Sequence, residues 1–212
     1  CVALTLPVKA TVAIQFPLLC GLVFYHACRF GRKVLWRQMA PLFIGALLGL
    51  PLGLFSLNRF PETVMKRILA VFMVLIVFSS HFNWGLRLRK FFATSKYMGG
   101  FMGVASGWFQ GLFCTGGPLG VVYVLASDLD AETAKGILGN YFTFLCIYQG
   151  ILFFINGMLT AFIWVDSLKY SPAVVAGIFL GAAMARKVGT RGYRLSAEGL
   201  LVLTSLLLWT RG

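Results

Sequence analysis

Acidic residues and histidines are scarce in this chain, which has six Asp and Glu and two His among 212 residues. Both histidines and all six acids fall near the ends of apolar segments. No zinc-protease motif, catalytic triad or carboxylate pair can be assembled from them, so we expect no enzyme activity, no metal site and no cofactor. The segments also lack the internal carboxylates that membrane proton relays use, so proton coupling is not predicted.

Cysteine pairs with redox or metal-binding spacing are missing as well. The five cysteines lie mostly inside apolar runs and form no CxxC motif, so we expect neither structural disulfides nor a metal site. Also absent is any linker, low-complexity tract or charged block long enough to form a soluble domain. The sequence therefore predicts a single domain over residues 1–212.

Long apolar runs dominate what is present. Hydrophobic residues make up 59% of the chain and charged residues only 12%. Since a spanning helix needs about 20 mostly apolar residues, these runs predict an all-α polytopic membrane protein. The predicted helices lie near residues 8–28, 39–57, 68–84, 97–114, 118–127, 136–156, 172–186 and 196–210.

The net charge of +13 comes from lysines and arginines that are grouped in short loops. Three clusters fall at 29–37, 87–96 and 186–194, each between two apolar runs. This placement is typical of cytoplasmic loops that face anionic lipid. We therefore expect membrane lipid, and not nucleic acid, as a partner of these charges.

The most informative segment is 99–120, where one apolar helix is predicted to stop and another to start. Its glycines first recur every four residues, which lets a neighbouring backbone approach closely. Gly116 and Gly117 then sustain a helix poorly, whereas Pro118 is favoured at a first helical position. A break inside hydrocarbon is tolerated where protein or a watery cavity pairs the freed backbone groups, and broken helices are typical of transporter binding sites. The new helix also points its positive dipole end at that cavity, which favours an anion.

The chain contains two similar halves. An offset of 132 residues aligns small residues that recur every four positions, placing Gly45, Gly49 and Gly53 on Gly177, Gly181 and Ala185. A second offset, near 125, pairs Gln15 with Asn140. We predict two copies of one four-segment unit, at 1–84 and 97–210, and chance similarity between glycine-rich helices is the alternative.

The two copies are predicted to have opposite orientations. If 97–127 leaves and returns on one side of the membrane, 13 of the 19 Lys and Arg lie on one face, as the positive-inside rule favours. Equivalent loops then fall on opposite faces, which defines inverted-topology repeats. The first copy lacks a counterpart of 97–125, so we expect a native chain with additional N-terminal residues that include a second broken helix.

Two stretches carry a resemblance to a known family. They are Gly-Leu-Phe-Cys-Thr-Gly-Gly-Pro-Leu-Gly at 111–120 and, after a short helix, Asp128-Leu-Asp-Ala-Glu-Thr-Ala-Lys. Together they look like the second-repeat signature of the TauE/SafE sulfite exporter family, and a looser likeness covers nearly the whole chain. The resemblance implies a multi-pass permease of the bacterial inner (cell) membrane for sulfur-containing anions such as sulfite or organosulfonates. The family's first-repeat glycine cluster is absent, and Pro118-Leu119 replaces a double proline.

Seven residues form the predicted substrate site. They come from the break and from neutral polar side chains inside apolar helices, and are Gln15, Gln110, Thr115, Gly116, Gly117, Pro118 and Asn140. Gln15 and Asn140 are expected to meet near the midplane. Amide donors suit an oxyanion that must be released again, because a full positive charge would hold it too tightly. The alternative is that these amides, with Gln149 and Asn156, hydrogen-bond between packed helices.

The leading functional hypothesis is a transporter or facilitator that exports a small sulfur oxyanion or sulfonate. An inside-negative potential drives such an anion outward. The alternative is a noncatalytic membrane scaffold or assembly subunit, in which the glycines serve packing and the break is a structural bend. A third hypothesis is a membrane enzyme with Cys114 as nucleophile. Association as a homodimer is left open by the sequence.

Cysteine scanning tests the orientation of the two copies. Single cysteines placed at 87–96 and 187–193 are expected to react with an impermeant maleimide only from the cytoplasm, because both loops are basic. A cysteine placed at 157–161 is expected to react only from outside. Labelling of the two basic loops from opposite sides would contradict the inverted-repeat prediction.

Overall fold

The structure is a computed structural model, and it describes residues 8–30, 36–81, 96–127, 129–159, 163, 167–169, 171–172, 176–177, 179–181 and 198–208. Within these ranges the regular secondary structure is helical and includes no strand, which confirms the all-α prediction. The longer helices are α1 (Val8–Phe30), α2 (Trp36–Arg59), α3 (Glu62–His81), α4 (Lys96–Phe113), α5 (Gly117–Ala126), α6 (Ala131–Ile155) and α7 (Glu198–Leu208).

Two stretches of the described helices are long and apolar enough to cross a membrane, Met39–Arg59 in α2 and Glu132–Ile155 in α6. Val8–Gly21 and Glu198–Leu208 are apolar but shorter. These helices are compatible with a membrane protein. The number of crossings and the inverted repeats stay predictions, and the basic loop at 186–194 lies outside the described residues.

Helices α3 and α6 begin a turn or more earlier than the apolar runs predict. In α6 the Asp130 carboxylate caps the helix by accepting a hydrogen bond from the Thr133 N–H at 3.0 Å. In α3 the first turn holds Glu62, which pairs with Lys66 one turn later at 3.1 Å. A carboxylate at a helix N-terminus is favoured by the free N–H groups and by the dipole. Polar first turns therefore extend both helices beyond their apolar segments.

Helices α2 and α4 make the most extensive helix–helix contact in the described structure. They meet along a glycine seam, formed by Gly45, Gly49 and Gly53 of α2 and by Gly103, Gly107 and Gly111 of α4. A Cβ added at Gly107 would lie 2.6 Å from the carbonyl O of Ala46, and one at Gly111 would lie 2.5 Å from that of Leu50. Since the obstructing atoms are backbone, the close approach predicted from the glycine spacing is confirmed.

Buried apolar side chains form two clusters. The first joins α1, α2, α3, α4, α6 and α7, and it includes Phe16, Cys114 and Phe153. The second joins α2, α5 and α6 and includes Tyr123 and Tyr141. The interruption between α4 and α5 therefore lies where the chain passes from one core to the other.

Gly107→Ala is expected to lower the free energy of unfolding by about 1–3 kcal/mol, because the added methyl group collides with backbone that cannot move aside. Gly100→Ala on the same helix is the matched control, since a Cβ there meets no atom within 4 Å. Thermal unfolding in detergent, followed by circular dichroism, measures both variants. Equal melting temperatures for the two would contradict the close packing of the seam.

Candidate functional site

The candidate site lies at the interruption between α4 and α5. α4 ends at Phe113, and the following Cys114 has a φ of 54°, in the left-handed region that residues with a side chain rarely adopt. Gly116 is the N-cap of α5, and Pro118 lies in the first turn of that helix. The chain thus turns on a strained residue, and such a conformation persists only where its surroundings hold it in place.

Two buried glutamines hold the interruption. Gln110 Nε2 donates to Gln149 Oε1 at 2.9 Å, which joins α4 to α6. The Gly116 N–H donates to Gln110 Oε1 at 2.9 Å. Gln149 Nε2 donates to the Gln110 carbonyl O at 3.1 Å and to Cys114 Sγ at 3.2 Å. Gln149 is fully buried, so water cannot reach these groups. The two side-chain amides therefore provide the hydrogen-bond partners that water provides at an exposed helix end.

Two buried hydroxyl groups hold the other side of Gly116. Tyr141 OH donates to Ser106 Oγ at 2.9 Å, and Ser106 Oγ donates to the Gly116 carbonyl O at 2.7 Å. A Cβ on Gly116 would lie 2.8 Å from Gln110 Cβ, so the position has room only for glycine. Both backbone polar groups of Gly116 are therefore bonded within the protein.

A cavity of about 860 Å³ opens beside the interruption. Apart from the thiols of Cys114 and Cys146, the described lining has four polar side chains, which are Gln15 of α1, Gln110 and Thr115 at the interruption, and Lys135 of α6. Gly117 and Pro118 bring the N-terminal end of α5 to the same cavity. The rest of the wall is mostly apolar and includes Phe72 of α3 and Phe142 of α6. An apolar cavity with a few convergent polar groups is the usual form of a small-ligand site.

Five of the seven predicted site residues line this cavity, namely Gln15, Gln110, Thr115, Gly117 and Pro118. Thr115 Oγ1 is buried and has no hydrogen-bond partner within the described part of the chain. Asn140 is not among the described lining residues, and its Nδ2 donates to the Gly136 carbonyl O of the same helix at 2.8 Å. A role for Asn140 or Gly116 in binding a substrate stays a prediction.

Lys135 corrects one expectation drawn from the sequence. The apolar pattern predicts a loop at 128–135 and a lining without a fixed positive charge. Because α6 begins at Ala131, Lys135 instead lies on the helix and lines the cavity. The signal for this earlier start is Asp130, a favoured N-cap residue placed three positions before Thr133.

Other polar residues at the interruption have weaker sequence signals. The interpretation of buried amides as contacts between helices is confirmed for Gln149, and Gln110 both makes that contact and lines the cavity. Ser106 and Tyr141 are not indicated by the sequence, because neither breaks the apolar pattern of its helix as an amide does.

Gln149→Leu is expected to lower the free energy of unfolding by about 1–3 kcal/mol, because it leaves the Gln110 amide without its buried partner. Asn156→Leu, at the exposed end of the same helix, is the matched control. A double-mutant cycle with Gln110→Leu, measured by thermal unfolding, is expected to give a coupling of about 0.5–3 kcal/mol. Strictly additive losses would show that the two amides do not act together.

Comparison with protein families adds to this geometry. A family model described as Sulfite exporter TauE/SafE matches residues 1–208, a range that contains the interruption and the whole described cavity lining. Searches of curated proteins and of solved structures give no match. The family comprises membrane transporters and not enzymes, in agreement with the apolar helices of the structure. The resemblance carried by the motif at 111–120 is thereby confirmed, and the chain belongs to the TauE/SafE sulfite exporter family.

Proposed function

We propose that the protein is a permease that exports a small sulfur-containing anion, of the sulfite or organosulfonate class, from a binding site at the α4–α5 interruption. Membership of the family implies export of sulfite or related sulfur anions in general. The observation that carries the finer proposal is that the N-terminal end of α5 opens into a cavity lined by Lys135 and by the Thr115 hydroxyl, which has no partner among the described residues.

The start of α5 supplies hydrogen-bond donors to the proposed site. The first N–H groups of a helix have no acceptor within it, and the helix dipole adds about half a positive charge at that end. Helix N-termini bind anions for both reasons. Gly117 lines the cavity without a side chain to cover its backbone, and Thr115 brings a hydroxyl that lacks a described protein partner. These groups suit the replacement of water around an oxyanion.

Lys135 and Gln15 extend the site with groups from two other helices. The ammonium group of Lys135 attracts an anion, and the Gln15 amide can donate to it. Both side chains are exposed, so their interactions with an ion are weakened by water and are readily reversed. This suits a substrate that has to leave again. Gln110 has a different role, because its amide is already bonded to Gln149 and Gly116.

The apolar wall bears on the choice of substrate. A cavity of about 860 Å³ exceeds the space needed by sulfite, and side chains such as Leu138, Phe72 and Met73 line it. An organosulfonate fits with its charged group at the start of α5 and its carbon chain against this wall. Sulfite would use the same polar groups without the apolar contact. One site thus accommodates both members of the proposed class.

The direction of transport follows from charge. A potential that is negative inside drives a monovalent anion outward with about 2.3 kcal/mol per 100 mV, so export needs no coupling ion. None of the described lining residues is an acid that would act as a proton relay.

Flux from proteoliposomes tests the proposed function. Vesicles that contain the purified protein are loaded with labelled sulfite, methanesulfonate or chloride, and an inside-negative potential is set with potassium and valinomycin. We expect both sulfur anions to leave faster than chloride and faster than from protein-free vesicles. A protein that passes none of the three would contradict the proposal and favour the scaffold hypothesis.

Substitutions in the lining test the site. Gln15→Ala and Lys135→Gln are expected to weaken anion binding by up to about 10-fold, because losing a hydrogen bond to a charged ligand costs about 1.5–3 kcal/mol and exposure to water reduces that cost. Lys135→Arg, which keeps the charge, is expected to retain most of the affinity. The dependence of flux on anion concentration gives these affinities, and melting temperatures show whether the variants stay folded.

Asn140→Ala separates two predictions for the site. Because Asn140 is not among the described lining residues, the cavity assignment predicts an unchanged affinity, whereas the repeat alignment predicts a loss. A loss equal to that of Gln15→Ala would contradict the cavity assignment and support the pairing of Gln15 with Asn140 predicted from the repeats.

A further inference from the structure

We infer that Cys20 of α1 and Cys146 of α6 form a dithiol beside the cavity, which a two-electron oxidant converts into a disulfide that joins the two helices. The two cysteines lie far apart in the chain and belong to no spacing motif. Their pairing therefore becomes visible only in the packing of α1 against α6.

The register of these two helices places the cysteines together. The rings of Phe16 and Phe153 lie 5.1 Å apart, and a Cβ on Gly150 would lie 3.1 Å from Phe16 Cζ. Cys20 follows Phe16 by one helical turn in α1, and Cys146 precedes Gly150 by one turn in α6. If α1 and α6 run antiparallel, the residue one turn after Phe16 faces the residue one turn before Gly150. Cys20 then lies opposite Cys146.

The side-chain contacts agree with this register. The thiol groups of Cys20 and Cys146 are close enough to interact electrostatically, and the described cysteines, which also include Cys114, are free thiols. A disulfide requires Cα atoms about 4.4–6.8 Å apart, and one turn away the Phe16 ring packs directly on Gly150, where no side chain covers the α6 backbone.

A reagent in the cavity can reach the pair. Cys146 lines the cavity, and so do Leu19 and Val23, which flank Cys20 on α1. Cys20 itself is partly exposed. Cys146 is buried in the wall of the space that the proposed substrate uses, and Cys20 is the more accessible thiol of the pair.

The oxidation can be written with diamide, a diazene, as the probe. One thiolate adds to the N=N bond, and the second thiolate attacks the resulting S–N bond to form the S–S bond. Two electrons and two protons pass from the thiols to the diazene, which leaves as a hydrazine. Quinones and hydroperoxides are the classes of cellular oxidant able to accept the same two electrons.

The disulfide would tie the helix that carries Gln15 to the helix that carries Lys135. If these residues bind the anion, which rests on the proposed function, the oxidised protein holds both sides of the cavity at a fixed distance. Transport requires the site to change its access between the two membrane faces, so oxidation is expected to arrest anion flux.

The first test detects the disulfide without reference to transport. The protein is prepared with serine in place of every cysteine other than Cys20, Cys114 and Cys146, which includes Cys1→Ser and Cys28→Ser. It is treated with diamide, denatured, alkylated with N-ethylmaleimide and weighed by mass spectrometry. We expect one maleimide in place of three, a monomer on a non-reducing gel, and three maleimides again after reduction by dithiothreitol.

Further single substitutions identify the partners. Adding Cys114→Ser is expected to leave the disulfide intact, whereas adding Cys20→Ser or Cys146→Ser is expected to abolish it. Full alkylation after diamide, a disulfide that survives Cys20→Ser, or a disulfide-linked dimer would each overturn the pairing.

The second test measures flux in the same vesicles. Diamide is expected to stop export by protein that holds both thiols and to leave export by Cys20→Ser unchanged. If the disulfide forms and flux is unchanged, the prediction that oxidation stops transport is wrong. Absence of flux before any oxidation would count against the proposed function alone, because the mass measurement reports on the dithiol independently.

Discussion

The hydrogen bond between the side chains of Gln110 and Gln149 is the interaction on which the α4–α5 interruption depends. Ending a helix in the interior leaves backbone groups that need partners, and an unpaired buried group costs about 1–3 kcal/mol. Gln110 accepts from the Gly116 N–H, and Gln149 fixes the orientation of that amide from α6. The direction of α5, and with it the end that opens into the cavity, is therefore set by two amides on other helices.

The polar residues near the cavity fall into two groups. Gln110, Gln149, Ser106 and Tyr141 are buried and bonded to one another or to the backbone of the interruption. Gln15 and Lys135 are exposed to the cavity and come from separate helices. The first group builds the geometry, and the second faces the cavity. This division explains why amides in apolar helices fit both the packing and the binding hypotheses.

Features that depend on residues close together in the chain could be predicted from the sequence. Glycines that recur every fourth residue indicated a close helix contact, and the Gly-Gly-Pro run marked where α5 begins near Gly117. The pairing of the helices could not be predicted from this spacing. It shows that one face of a helix carries small residues, but it does not show which helix packs against that face. Lys135 was missed because the helix was located by its apolar residues alone. Its polar first turn, which Asp130 caps, does not appear in that pattern.

The glycine seam has a mechanical consequence. Sliding α2 along α4 would drive Cα and carbonyl atoms into one another, because the close contacts along the seam, at Gly107 and Gly111 among others, are made by backbone. The two helices are therefore expected to move together as one rigid unit and not to slide along each other. A shape change around the cavity is accommodated more readily where helices pack through side chains, as α1 does against α6 through the rings of Phe16 and Phe153.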